Sequence, residues 1–102
     1  MTKLDPIIHV DARLKIMAAL AELGVNTSMT FPALQKTLNM TAGNLSVHIH
    51  KLNNAGYVVI TKGYRANRPT TYAGITLEGK AAYEKYIVAL KEIVGMSVEH
   101  YS

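Results

Sequence analysis

The groups in this 102-residue sequence that could move protons or hold a metal are four histidines and seven carboxylates, since the chain has no cysteine. His48 and His50 stand at i, i+2, which puts them ~200° apart on a helix and unable to share one ion. His9 lies near Asp5 and Asp11 and could join an intersubunit metal site, but helix capping and packing account for all three residues. His48, beside an apolar stripe, is expected to be packed and locally hydrogen-bonded, and His100 to lie near a frayed terminus. The acids fall at helix starts and in solvent-facing turns, with no carboxylate pair near the third-helix histidines. There is no thiol nucleophile, no phosphate-cradling glycine loop, and no His-Glu-x-x-His or calcium-loop spacing. A nuclease would need clustered acids to hold a metal, and the middle of this chain has none. These residues point to no enzyme, no cofactor and no metal site.

The chemistry that does stand out is cationic. No acid occurs between Glu22 and Glu78, and that stretch carries Lys36, Lys51, Lys62, Arg65 and Arg68, a local +5 in a chain of net charge +4. The remainder sums to −1. A basic middle on a near-neutral frame is suited to face a polyanion. No apolar run approaches the ~20 residues of a membrane span, and the opening Met1-Thr2-Lys3-Leu4-Asp5-Pro6 lacks a signal-peptide apolar block. The expectation is one soluble, cytoplasmic domain, small enough that a partner subunit would help to stabilise it.

Four helices and a hairpin must position these cations. Val10, Leu14, Met17 and Ala21, with Ile16, Leu20 and Leu23 beside them, mark a first helix from about Val10 to Leu23, with Asp5-Pro6 and Asp11 as competing starts and Gly24 as its stop. Thr30 caps a short second helix that buries Phe31, Leu34 and Leu38 and tolerates Pro32 in its first turn. Thr41 caps a third that runs to Gly56 and buries Leu45, Ile49 and Leu52. Its opposite face carries Gly43, Val47, His50 and Asn54, flanked by Asn44, Ser46 and Lys51, with no acid among them. The period then changes. Residues 57–62 pair with residues 70–75 as strands, joined by the Arg-rich loop Gly63-Tyr64-Arg65-Ala66-Asn67-Arg68-Pro69, taken as too long for a two-residue turn. Tyr64 fits either a wing-base contact or a contact to sugar and phosphate. Thr76 caps a fourth helix with Glu78 in its first turn. On that helix Tyr83, Tyr86, Ile87, Leu90, Ile93 and Val94 exceed what one small core needs, so it packs along the first helix or against a second copy as well.

Helix, short helix, turn, polar-faced helix and basic hairpin is the order of a winged helix-turn-helix, a mostly α architecture with a small β-hairpin. The run from Thr41 to Val58, Thr-Ala-Gly-Asn-Leu-Ser-Val-His-Ile-His-Lys-Leu-Asn-Asn-Ala-Gly-Tyr-Val, resembles the recognition-helix segment of bacterial and archaeal winged-helix regulators. Asp5-Pro6-Ile7-Ile8-His9, Arg13-Leu14-Lys15-Ile16 and Thr76-Leu77-Glu78-Gly79 are similar to that group too. The likeness covers about residues 4 to 90 and is closest to compact regulators related to the ArsR and MarR families. It implies base reading by Gly43, Asn44, Ser46, Val47 and His50, and phosphate contact by Thr41, Lys51, Lys62, Arg65 and Arg68. Two positions depart from the family pattern. Val47 stands where a larger polar or basic residue is frequent, so readout there would be apolar, towards a thymine methyl. Ala42 contributes no side-chain hydrogen bond. Metal-sensing members of the ArsR group often use thiolates, which this chain lacks.

The expectation is a single domain over residues 1–102, with the helix-turn-helix at about 30–56, the wing at about 57–76 and a dimerisation helix at about 77–95. As a homodimer it would bind double-stranded DNA at an inverted repeat and regulate transcription, with no membrane partner. The alternative is a winged-helix module that uses the same surface to hold a protein.

Overall fold

The computed structural model describes residues 3–101, with side chains described as far as Met96, so the expectation for His100 falls outside the described side chains. Helix α1 (Asp11–Leu23) buries Ile16, Met17 and Leu20; of the rest of the expected apolar side Val10, Leu14 and Ala21 are half-buried, and Leu23, at the end of the helix, is exposed. Its N-cap is Val10, which gives no side-chain cap. Asp5 instead caps a preceding turn, its Oδ1 accepting from the Ile7 N–H at 2.8 Å and its carbonyl from His9 N–H at 2.8 Å. Strand β1 (Ser28–Thr30) follows, and helix α2 (Phe31–Leu38) starts where the Thr30 hydroxyl accepts from Ala33 N–H at 3.2 Å. Asn39, left-handed at φ 53°, ends α2 and turns the chain into α3 (Ala42–Asn54), capped by Thr41 Oγ1 on Asn44 N–H at 3.1 Å. Leu45, Ile49 and Leu52 are all fully buried. They carry α3 against α1 and α2, so the register of that helix is fixed by its apolar stripe.

Strands β2 (Val58–Arg65) and β3 (Arg68–Ile75) form the hairpin, and Thr76 caps helix α4 (Leu77–Tyr101) by accepting from Gly79 N–H at 2.9 Å. The sheet has three antiparallel strands in the order β1-β3-β2. Two expectations need correction here. β1 was not anticipated: it is three residues long and owes its existence to pairing with β3 through Ser28–Gly74, Met29–Ala73 and Thr30–Tyr72. The strands also do not stop at Lys62 and Thr70. They run on to Arg65 and Arg68 around a two-residue turn, Ala66-Asn67, at φ 52° and 63°. Both turn residues are left-handed, the twist that matches two antiparallel strands, here without the glycine that usually supplies it.

One glycine is dictated by close approach. A Cβ on Gly79 would sit 2.0 Å from the Tyr57 carbonyl oxygen, so the start of α4 rests directly on the backbone that leaves α3. The core joins Ile8, Ile16, Met17, Leu20, Leu34, Leu45, Ile49, Leu52, Val58, Ala73, Ile75 and Tyr86. From Lys91 to Met96 no residue of α4 is buried. A 25-residue helix is ~37 Å long, and α4 extends the molecule to 58 × 25 × 20 Å. The radius of gyration is accordingly 15.2 Å, against ~13 Å for a compact chain of this length.

Candidate nucleic-acid interface

Two elements bring the basic middle of the chain to one end of the fold. The first is the outer face of α3. Thr41, Gly43, Asn44, Val47, His50 and Lys51 are exposed on it, and Ser46 is half-buried at its edge. No acid lies in the first turn of α3, and Lys51 is in its last. Among the described residues this face is left to solvent, and Val47 leaves 57% of its surface in water. A helix with small and polar side chains outward, and free N–H groups at its start, has the shape and donors to enter a major groove.

Within that face one side chain is oriented by a specific bond. His50 Nδ1 lies 2.7 Å from the Ser46 carbonyl oxygen and 3.5 Å from the Ser46 hydroxyl. A carbonyl only accepts, so Nδ1 donates. His48, by contrast, meets only the packing half of its expectation. It is half-buried beside the apolar stripe, but its Nδ1 is buried with no hydrogen-bond partner, as is Arg13 Nε.

The second element is the wing. Register decides which cations act together. Arg65 pairs directly with Arg68, one step from the turn, and side chains of paired residues share a face. Counting back by twos, that face carries Gly63, Thr61 and Val59, the side of β2 away from the core. Lys62 and Tyr64 alternate onto the other face, the one Val58 and Ile60 turn inward. The three wing cations therefore do not form one cluster. The two arginines form a pair at the tip, and Lys62 stands on the opposite side, nearer the helices. Tyr64 is 77% exposed across from Pro69.

The joint between helix and wing is made by residues that gave no functional signal in the sequence. Asn53 Nδ2 donates to the Val58 carbonyl at 2.9 Å, and the Thr76 hydroxyl donates to the Gly56 carbonyl at 2.7 Å. Thr76 N–H also donates to Tyr57 O at 3.1 Å. These bonds lock the exit of α3 to the roots of both wing strands. An Asn-Asn-Ala-Gly sequence reads only as a helix end, and nothing local marks the first of its asparagines as a strand clamp.

At the same joint, Tyr57 straps down the N-terminal segment. The Tyr57 hydroxyl donates to Asp5 Oδ2 at 2.5 Å, and this bond to a carboxylate, with some burial, pushes the Tyr57 phenol up to about 12. His9 Nδ1 lies 2.8 Å from the Tyr86 hydroxyl. Asp11 is paired with Lys15 at 3.0 Å. Asp5 thus caps a turn and His9 packs on Tyr86, as expected, whereas Asp11 neither caps nor packs and holds only an exposed ion pair. Among the described residues, no helix is long and apolar enough to cross a membrane.

Comparison with known proteins gives these features relatives. Residues 12–94 match the family model described as a winged helix DNA-binding domain. An uncharacterized protein from Methanocaldococcus jannaschii is 35% identical over 81 residues, which is 79% of this chain and 85% of that protein. Among solved structures, a transcriptional regulator homologue from Pyrococcus horikoshii superposes with a TM-score of 0.78 at 32% identity, over 87% of this chain and 85% of that one. The YusO protein from Bacillus subtilis shares the fold, with a TM-score of 0.74 at 15% identity over 95% of this chain and 62% of its own.

Proposed function

Since the chain belongs to the winged helix DNA-binding domain family, we propose that it is a sequence-specific regulator of transcription. It acts in the cytoplasm as a homodimer, with α3 in the major groove of double-stranded DNA and the wing on the flanking backbone. The observation that carries this reading is the acid-free, exposed outer face of α3, standing next to a hairpin whose tip pairs two arginines. Gly43, Asn44, Val47 and His50 face the bases and Ser46 borders them. Thr41 and Lys51 meet phosphates on either side, and Lys62, Arg65 and Arg68 meet the backbone beyond.

The homodimer is supported by α4. Val88, Val94 and Met96 are each more than half exposed on a helix that also leaves Ile87, Leu90 and Ile93 only partly covered. A second copy laid along this helix would cover the side that carries Ile87, Leu90 and Val94, and two-fold symmetry would present two α3 helices to half-sites about one turn, roughly 10 bp, apart on an inverted repeat.

Fluorescence anisotropy on random duplex at low salt tests the reading. Binding is expected to weaken as salt rises, with a log–log slope of about −0.9 for each phosphate neutralised. Absence of binding at high micromolar protein overturns it in favour of a protein-interaction module. Sedimentation showing monomer alone at tens of micromolar removes the dimer and the inverted repeat.

A further inference from the structure

The bond between His50 and Ser46 determines what the exposed side of that imidazole can recognise. Because the Ser46 carbonyl accepts, at 2.7 Å, from Nδ1 of His50, the proton of the neutral ring sits on Nδ1. With Nδ1 donating to the backbone, Nε2 of this exposed ring is left as an acceptor. In the major groove the only base-edge donors are the amino groups of adenine N6 and cytosine N4. A guanine would turn N7 and O6, both acceptors, towards an acceptor.

Val47 narrows the choice. It stands three residues before His50 on the same exposed face, where Cβ atoms are ~5–6 Å apart. Of the groups on a major-groove edge, only the thymine C5-methyl offers an apolar surface for it. An A·T pair presents the adenine amino group and the thymine methyl on one edge, with thymine O4 between them, whereas a G·C pair presents an amino group and no methyl.

Building on the DNA-binding reading above, we propose that His50 and Val47 together read one A·T pair, Nε2 of His50 accepting from adenine N6 and Val47 covering the thymine methyl, with the Ser46 carbonyl acting as the positioning group that holds His50 in its acceptor tautomer. Ser46 thereby contributes through its backbone, and its hydroxyl, 3.5 Å from the ring, is dispensable for this contact.

The experiment has a protein arm and a DNA arm. In the full-length protein without DNA, long-range nitrogen–proton NMR at pH 8.5, where imidazoles are neutral, is expected to show His50 with a protonated Nδ1 and an unprotonated Nε2. The reverse tautomer overturns the proposal whatever the protein binds. For the DNA arm, a half-site is selected from a random duplex pool and each of its A·T pairs is replaced in turn by purine·T, which lacks the amino group, and by A·U, which lacks the methyl. At one pair, purine is expected to cost the wild type roughly five- to 150-fold in affinity and His50→Ala nothing further. Uracil at that same pair is expected to weaken the wild type but not Val47→Ala, while Ser46→Ala keeps the purine penalty. Binding with no pair sensitive to loss of the amino group, or with that sensitivity intact in His50→Ala, overturns the assignment and leaves the DNA reading standing. No binding to any duplex overturns both.

Discussion

Gly43 stands at the second position of α3, exposed, in ordinary helical backbone, and a Cβ built on it meets nothing within 4 Å. The fold gives no reason for a glycine there, while helix energetics argue against one: glycine costs roughly 0.5–1 kcal/mol relative to alanine inside a helix. In the free protein, Gly43→Ala is therefore expected to be stabilising. The gain should be about 0.5 kcal/mol at a first-turn position, or roughly 2–4 °C in Tm for a domain of this size. The same methyl would lie on the face assigned to DNA, beside the capped N-terminus, where backbone N–H groups must approach a phosphate or base edge closely. Lengthening one such charge-assisted hydrogen bond costs ~1.5 kcal/mol, about tenfold in affinity. The variant should thus melt higher and bind more weakly, a combination that neither a purely structural nor a surface-neutral glycine produces. Calorimetry at fixed protein concentration reads the first effect, and anisotropy on a selected duplex at fixed salt reads the second. A lower Tm would refute the claim that the fold leaves this position open. A higher Tm with unchanged affinity would take Gly43 out of the interface.

Gly79 presents the opposite case. Its Cβ would lie 2.0 Å from Tyr57 O, against backbone that cannot yield cheaply; Gly79→Ala should destabilise by about 2–3 kcal/mol, read as a lower urea midpoint at unchanged m. Tyr57 has its phenol raised to about 12 by Asp5. A raised folded-state value stabilises at neutral pH and is lost as pH climbs from about 10, where an unfolded tyrosine ionises, through 12. Tyr57→Phe should be less stable than wild type at pH 7 and lose this alkaline decline, as followed by denaturant titration across pH 8–12. Arg65 and Arg68 face each other across the hairpin, and like charges directly opposite are unfavourable by a few tenths of a kcal/mol. Arg65→Ala is expected to leave the free protein as stable or slightly more so, while lowering affinity for every duplex and reducing the salt slope by about 0.9. An unchanged slope would show that this arginine meets no phosphate.

How much of this could be read from the sequence depended on how local each cause is. The start of α3 was legible because its cap and its apolar stripe lie within a dozen residues: Thr41 bonds Asn44, and Leu45, Ile49 and Leu52 repeat at helical spacing. The same holds for Thr30 and Thr76 as caps. β1 was not legible because Ser28-Met29-Thr30 has no strand pattern of its own; its hydrogen bonds come from β3, and it can lie close only because Gly74 carries no side chain against the Thr27 carbonyl. The wing turn failed for a related reason. Ala66 and Asn67 adopt left-handed backbone without the Asn-Gly or Gly-first signature that announces it, so the tertiary demand of two long paired strands overrides local preference.

That misjudged turn had a consequence for the site, because side-chain alternation can be followed only as far as a strand continues. With a seven-residue loop after Lys62, the directions of Arg65 and Arg68 are undefined, and all three cations merge into one basic wing. With strands continuing to a two-residue turn, alternation separates Lys62 from the arginine pair and assigns them to opposite faces. Charge composition therefore identified the partner class, whereas the division of labour among the cations required the register. The helix behaves differently. Ser46 and His50 are four apart, a spacing that brings the carbonyl of one turn to the side chain of the next, so the contact that fixes the His50 tautomer is as local as a cap. On the proposed DNA-binding reading, base preference in α3 rests on neighbours within the helix itself, while the reach of the wing rests on long-range pairing. Substitutions in α3 should accordingly change which sequence is bound, and changes to the wing turn should alter affinity for all sequences alike.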